Sequence, residues 1–270
     1  MLKKILALLL LSMALGHPLQ AAEPVGAPLA FGVLNQQSAA KTAQRWNPIL
    51  KYLSDATGLR FQLRMGATVQ DTDAMMGRGE FDLVFTNHNF RKEYDGIYRV
   101  IARWAGKPIY GVIAVPADSP AKSLRDLNGK RVAFPSKEAF VAYAVPMVAL
   151  NQAKVTVQSV FAGNQEGALV QLQARQVDAA AVNSRFLTQF AAKRNLAYRE
   201  IYISAPFADL PVVIHPRVPR EQAEAIRRAL LAMKDDPAAA AMLEAAEAPG
   251  FEAATDMDYD NVRRIYGKGG

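Results

Sequence analysis

The residues best placed for chemistry sit in short polar loops that end apolar runs. Thr86, Asn87 and His88 follow Phe81-Asp82-Leu83-Val84-Phe85, and Gln36, Gln37 and Ser38 follow the run from Leu29 through Leu34 and Asn35. Ser136 and Lys137 come just after Arg131-Val132-Ala133-Phe134, and Asn183 and Arg185 just after Val177-Asp178-Ala179-Ala180-Ala181-Val182. Gln165 stands beside Asn164 and Glu166 at the start of a helical stretch. Open α/β sheets bind ligands outside the carboxyl ends of their strands, and helix starts offer free N–H groups to anions. Hydroxyls, amides, an imidazole and two cations at such places suit the capture of a small polar or anionic molecule. Each also has a plainer reading. His88 is either a donor and charge switch or a solvated loop histidine. Lys137 either meets an oxyanion or pairs with Glu138. Glu166 complements a helix dipole with or without a ligand. Arg185 either forks onto an oxyanion or is an exposed charge at a helix start.

Catalysis finds little support. The chain has no Gly-x-Ser-x-Gly, His-Glu-x-x-His, Walker A or Gly-x-Gly-x-x-Gly sequence, the motifs that place nucleophiles, zinc and nucleotide phosphates. Cysteine is absent, which removes disulfides, thiolate metal sites and a cysteine nucleophile. Beyond His17 the histidines are His88 and His215, poor stock for a zinc site or a histidine-based triad. The expectation is a protein that is not an enzyme and carries no metal and no cofactor.

The elements that must position these loops alternate. Apolar runs predict strands at 29–34, 60–65, 81–85, 98–104, 110–115, 131–134, 155–161, 177–182, 199–203 and 212–214. Helical spacing fills the intervals at 71–78, 137–151, 165–175 and 185–194. Trp46, Ile49, Leu50 and Leu53 at i, i+3, i+4 and i+7 mark a helix that Gly58 closes. Asn47-Pro48 could be its N-cap and first residue, or Pro48 could lie in a turn begun earlier. The tail after Pro219 is helical. Alternating strands and helices predict parallel sheets covered on both faces. Two turn-rich crossovers, Pro116-Ala117-Asp118-Ser119-Pro120 and 204–211, lie about ninety residues apart, which suggests two α/β lobes joined by two connections.

The N-terminus reads as an export signal: Lys3 and Lys4, an apolar run from Ile5 to Leu15, then Ala21 and Ala22. Cleavage near there leaves 30 basic and 25 acidic residues, a charge of +5. The cations are scattered, without a basic run interleaved with aromatics, so no nucleic-acid partner is expected. With 51% apolar and 21% charged residues the remainder is a packed protein that needs no crosslink. Without a cysteine after the signal, no lipid anchor is expected.

Several stretches together resemble one family. Asn47-Pro48-Ile49-Leu50-Lys51-Tyr52-Leu53 followed by Thr57-Gly58 resembles the start of the phosphate/phosphite/phosphonate class of periplasmic binding proteins. Gly79-Glu80-Phe81-Asp82-Leu83-Val84-Phe85, Ile109-Tyr110-Gly111-Val112-Ile113-Ala114-Val115 with Asp118-Ser119, Ser123-Leu124 through Lys130-Arg131-Val132-Ala133-Phe134, and the 177–182 strand resemble later segments of that class, in order. Two of its motifs are not preserved. The Ser/Thr-rich oxyanion segment is here Pro135-Ser136-Lys137-Glu138-Ala139, and the Ser-x-His segment is Gly163-Asn164-Gln165-Glu166-Gly167.

The resemblance implies a two-lobed type II periplasmic binding protein fold, with two doubly wound sheets joined by two hinge strands. Residues 1–21 would be the signal, 22–114 plus 210–270 the first lobe and 115–209 the second. Closure would flex 112–118 and 204–212 around a small anion such as phosphate, phosphite, a phosphonate or a related species. A ligand with polar and apolar parts fits equally well. The implied partner is an inner-membrane ABC permease, or a membrane sensor kinase for which the protein is an accessory receptor, with a monomer as the default. Tyr110 aligns with a cleft tyrosine of the class, where its phenol would donate to the ligand while its ring walls the pocket.

Overall fold

The computed structural model describes residues 26–35 and 37–267, so the signal-like 1–21 segment and Gln36 lie outside the described residues. In chain order the first elements are β1 (Leu29–Val33), α1 (Ala39–Thr57), β2 (Phe61–Arg64), α2 (Val69–Gly77), β3 (Leu83–Phe85) and β4 (Arg99–Trp104). Next come β5 (Gly111–Pro116), β6 (Arg131–Phe134), α3 (Val145–Gln152), β7 (Gln158–Phe161), α4 (Gln165–Gln173), β8 (Ala179–Asn183), α5 (Ser184–Arg194) and β9 (Tyr198–Ile203). The chain ends with β10 (Pro211–Ile214), α6 (Arg220–Ala232), α7 (Pro237–Ala245), β11 (Phe251–Glu252) and α8 (Asp260–Tyr266).

Two sheets result, in the orders β11-β4-β10-β3-β1-β2 and β7-β6-β8-β5-β9. The expectation of purely parallel sheets is corrected. In the first sheet β1 runs parallel to β2 and β3, but β10 is antiparallel to β3 and β4. In the second, β6 is parallel to β7 and β8, while β5 is antiparallel to β8 and β9. The reason is topological: β5 and β10 are the strands that follow a crossing from the other sheet, and each runs opposite to both of its neighbours, β8 and β9 or β3 and β4.

The crossings themselves are 105–110 and 204–210. They meet in an antiparallel bridge in which Ile109 and Phe207 exchange two N–H···O bonds of 2.9 Å. The expected first hinge at 112–118 is therefore displaced, since most of it lies in β5 with ladder partners on both sides. Residues 111–114, expected in the first lobe, likewise belong to the second sheet.

Local chemistry accounts for the main elements. In α1 the stripe Trp46, Ile49, Leu50 and Leu53 is buried, Ser38 caps the start by accepting from the Lys41 N–H, and Gly58 ends it at φ 70°. Pro48 lies inside this helix and not at its start. It is exposed there, where the Gln44 carbonyl that it leaves without a donor can be hydrated. Trp46 anchors the first core, with the rings of Phe31 and Phe85 at 5.1 and 4.7 Å. In the second sheet strand alternation splits the core by face. Val112, Ala114, Ala180 and Val182 meet α4 and α5 through Leu169 and Leu187, and Ile113, Val115, Ala179 and Ala181 meet Leu127 and Leu150 on the other side. A strand covered on both faces explains the uninterrupted apolar run in β8.

One helix departs from expectation. Residues 137–139 form a turn, Phe140–Ala144 is π-helical, and only then does α3 begin. The wide register ends at Pro146, which has no N–H to donate in either register. The Val141 carbonyl presses on Gly111 so closely that a Cβ there would lie 2.2 Å from the oxygen. Glycine is required at that position by contact, not by its dihedral angles.

Candidate ligand-binding site

A cavity of about 450 Å³ lies between the two sheets. The loops after β1 and β3 supply Leu34, Asn87 and His88 from one side, and the loops after β6 and β8 with the start of α4 supply Ser136, Asn183 and Gln165 from the other. Val69, Ile109, Phe140 and Leu210 form apolar walls. The strand ends converge as expected of α/β sheets. Among the described residues His88 is the single ionisable side chain in this lining; the other polar groups are hydroxyl or amide.

His88 is 1% exposed and is held from behind. Its Nδ1 lies 2.9 and 3.1 Å from the two carboxylate oxygens of Asp73 on α2, and Arg91 donates to Asp73 at 3.1 Å. A carboxylate that accepts from a guanidinium is ionised, so Nδ1 carries a proton and donates. His88 and Ser136 both line the cavity, and His88 Nε2 and Ser136 Oγ are buried without a hydrogen-bond partner. Gln165 accepts the Asn183 N–H at 2.7 Å, and the Asn183 side chain accepts the Arg185 N–H at 2.9 Å. Each amide thus keeps its NH2 group as a donor.

The other expected site residues fall elsewhere. The Thr86 hydroxyl accepts from the His88 N–H at 3.0 Å and braces the loop. Tyr110, half-buried, packs on the second core through its ring and meets Ser184 through its backbone. The cavity lining does not include it. Lys137 is exposed, with its ammonium 5.6 Å from the centre of the Phe161 ring, because the turn at 137–139 carries it to a separate groove. Arg185 folds onto Asp209 and donates to the Lys107 carbonyl at 3.1 Å, which braces both crossings. Burial raises the Asp209 carboxyl above the ordinary range, and the Arg185 charge opposes this only in part. Neither Ser136 nor Lys137 opens a helix, as Ala139 is still extended.

Gln37 and Ser38 line an adjoining groove of about 950 Å³, shared with Val69, Ser136 and Asn164. Three helices start on that groove, capped by Ser38, Thr68 and Asn164, so positive backbone potential surrounds the way in.

Sequence pattern alone does not point to Asp73 or Arg91. Asp73 lies fifteen positions before His88 inside an unremarkable helix, and no local pattern marks it as the imidazole's partner. Apolar wall residues such as Val69 and Leu210 look in sequence like any core position.

A family model described as ABC transporter, phosphonate, periplasmic substrate-binding protein matches residues 31–259. No curated protein matches the chain. Among solved structures, PhnD1 of Prochlorococcus marinus in complex with methylphosphonate is 18% identical with a TM-score of 0.78, over 89% of this chain and 97% of that one. The binding-protein component of an ABC phosphonate transporter from Pseudomonas aeruginosa is 16% identical with a TM-score of 0.78, over 88% and 85%. A Xanthomonas citri protein bound to ATP is 15% identical with a TM-score of 0.73, over 90% and 96%.

Proposed function

Because the chain belongs to the periplasmic substrate-binding protein family of phosphonate ABC transporters, we propose that it traps one small oxyanion in the cavity between its two sheets. It is a transporter's binding component and not an enzyme, and its fold is that of type II periplasmic binding proteins. The carrying observation is the pair of buried, unpartnered atoms, Ser136 Oγ and His88 Nε2, contributed by opposite sheets. A buried polar atom without a partner costs about 1–3 kcal/mol, so a ligand that satisfies both favours the closed form over the open one.

Asn87, Gln165 and Asn183 supply further donors, and the helix starts at the groove draw an anion inward. The walls from Val69, Ile109, Phe140 and Leu210 suit a ligand with a short apolar part, such as a simple alkylphosphonate. We assign β5 through β9 to the second lobe and the other strands to the first, with the Ile109–Phe207 linker pair as hinge. Residues 1–21 are the export signal in this reading, and the closed, loaded form is what the permease recognises.

A thermal-shift panel of phosphate, phosphite, methylphosphonate, sulfate and acetate tests the proposal. At a hundredfold excess over Kd a bound ligand adds about 2.7 kcal/mol, so at least one phosphorus oxyanion should raise Tm with log concentration. No shift with any phosphorus oxyanion contradicts it.

A further inference from the structure

We propose that this site binds its oxyanion together with one proton, shared between a ligand oxygen and His88 Nε2. The inference rests on the reading of the cavity as an oxyanion site and adds a selection rule to it. Three observations carry it. Asp73 fixes the Nδ1 proton at 2.9 Å, so Nε2 alone is left to answer the ligand. Nε2 is buried with no protein partner. Among the described residues no lysine, arginine or carboxylate lines the cavity.

The charged and titratable groups around His88 are few. Asp73 faces it from α2, Arg91 bridges Asp73 to Glu93, and the hydroxyls of Tyr94 and of Tyr266 on α8 lie near that cluster. From the second lobe Glu138, which accepts from Gln70 at 3.1 Å, acts on Tyr94 and Tyr266 of that cluster. Arg91 is shared between Asp73 and Glu93, so this surround offers the arriving anion no spare positive charge. A dianion facing a neutral imidazole would set a lone pair against a lone pair in a dry cavity. Either the ligand brings a hydroxyl for Nε2 to accept, or the imidazole takes up a proton and donates; both descriptions hold one proton on the Nε2···O line. An oxyanion that cannot carry a proton near neutral pH, such as a sulfonate, brings no hydroxyl for Nε2 to accept and binds more weakly. Phosphonates and sulfonates of the same size are thereby told apart.

The test is calorimetric titration of the whole mature protein at about pH 8.5, above the ordinary histidine range, in buffers of different ionisation enthalpy. Methylphosphonate and methanesulfonate are the probes. Methylphosphonate should take up about one proton per site, and methanesulfonate, which has no proton to share, should bind at least about tenfold more weakly than methylphosphonate at that pH. His88→Gln should abolish the proton uptake while circular dichroism and Tm report its fold; the wild-type buffer series decides the question if that variant does not fold. Methylphosphonate binding without proton uptake, or methanesulfonate binding equally well at high pH, overturns the proposal and leaves the oxyanion reading standing. Failure of every phosphorus oxyanion to bind overturns both.

Discussion

Lys41 on α1 donates to both carboxylate oxygens of Glu166 on α4, at 2.7 and 2.9 Å, tying the helices of one sheet to those of the other. Lys193 on α5 pairs in the same way with Glu247, which also meets Arg45 at 3.4 Å, and Gln70 reaches Glu138. Of these, Lys41–Glu166, Lys193–Glu247 and Gln70–Glu138 join elements of the two sheets and, in the two-lobe reading, exist only while the lobes are together, whereas Arg45–Glu247 stays within the first lobe. Exposed pairs contribute about 0–1 kcal/mol each, too little to hold the lobes closed alone but enough to bias closure. The double variant Lys41→Ala, Lys193→Ala should therefore weaken ligand binding several-fold and leave the ligand-free Tm nearly unchanged. Small-angle scattering should show a larger ligand-free radius of gyration for the variant and for the wild type at high salt. Identical affinities would show that the pairs have no part in closure.

Ser136 and Tyr110 separate two accounts of the site. Ser136→Ala removes the buried hydroxyl of a residue that lines the cavity, and a typical net hydrogen bond of about 0.5–1.5 kcal/mol corresponds to a roughly three- to tenfold weaker Kd. Tyr110→Ala and Lys137→Ala touch the second core and an outer groove, so titration should find their affinities within about twofold of wild type. A large loss from Lys137→Ala with none from Ser136→Ala would move the site to the outer groove.

Gly111→Ala should be costly in spite of its small size. The added carbon meets the Val141 carbonyl, and neither the β5 ladder nor the π-helical turn can yield cheaply. Overpacking of this kind costs about 1–3 kcal/mol, to be read by urea unfolding. Because Val141 and Phe140 wall the cavity, affinity should fall as well.

Asp209 gives a pH signature with a definite sign. Burial raises its folded-state pKa above the unfolded value, so the folded state binds the proton more tightly. Its contribution is full below the ordinary aspartate pKa and is lost as pH rises through the raised value. Asparagine resembles the protonated form and cannot titrate. The Tm difference between wild type and Asp209→Asn should thus move in favour of the variant as pH rises above the ordinary aspartate range. A difference independent of pH would mean that Arg185 fully compensates the burial.

The fold was legible where sequence pattern and burial coincide. The Trp46 stripe, the 131–134 strand and the doubly covered Ala179–Asn183 strand all appear at nearly their expected bounds. The reversed strands β5 and β10 were not legible, because strand direction depends on which sheet receives the chain after a crossing. Asn87, His88, Ser136, Gln165 and Asn183, which line the cavity, follow from one rule, polar residues just past apolar strands or at helix starts. That rule says nothing about where a side chain turns. Lys137 leaves the cavity because a turn intervenes before the π-helical segment, and Arg185 leaves it because Asp209 attracts it into the crossing. The partner that makes His88 informative, Asp73, is set by how α2 lies beside the loop after β3, a tertiary fact with no local sign.

A crystal structure of the mature protein grown with methylphosphonate tests the central claim most directly. The expected density places the phosphonate between the loop after β3 and the loop after β6, with one oxygen on Ser136 Oγ and another on His88 Nε2. A phosphonate bound to a single lobe, or outside this cavity, would contradict it.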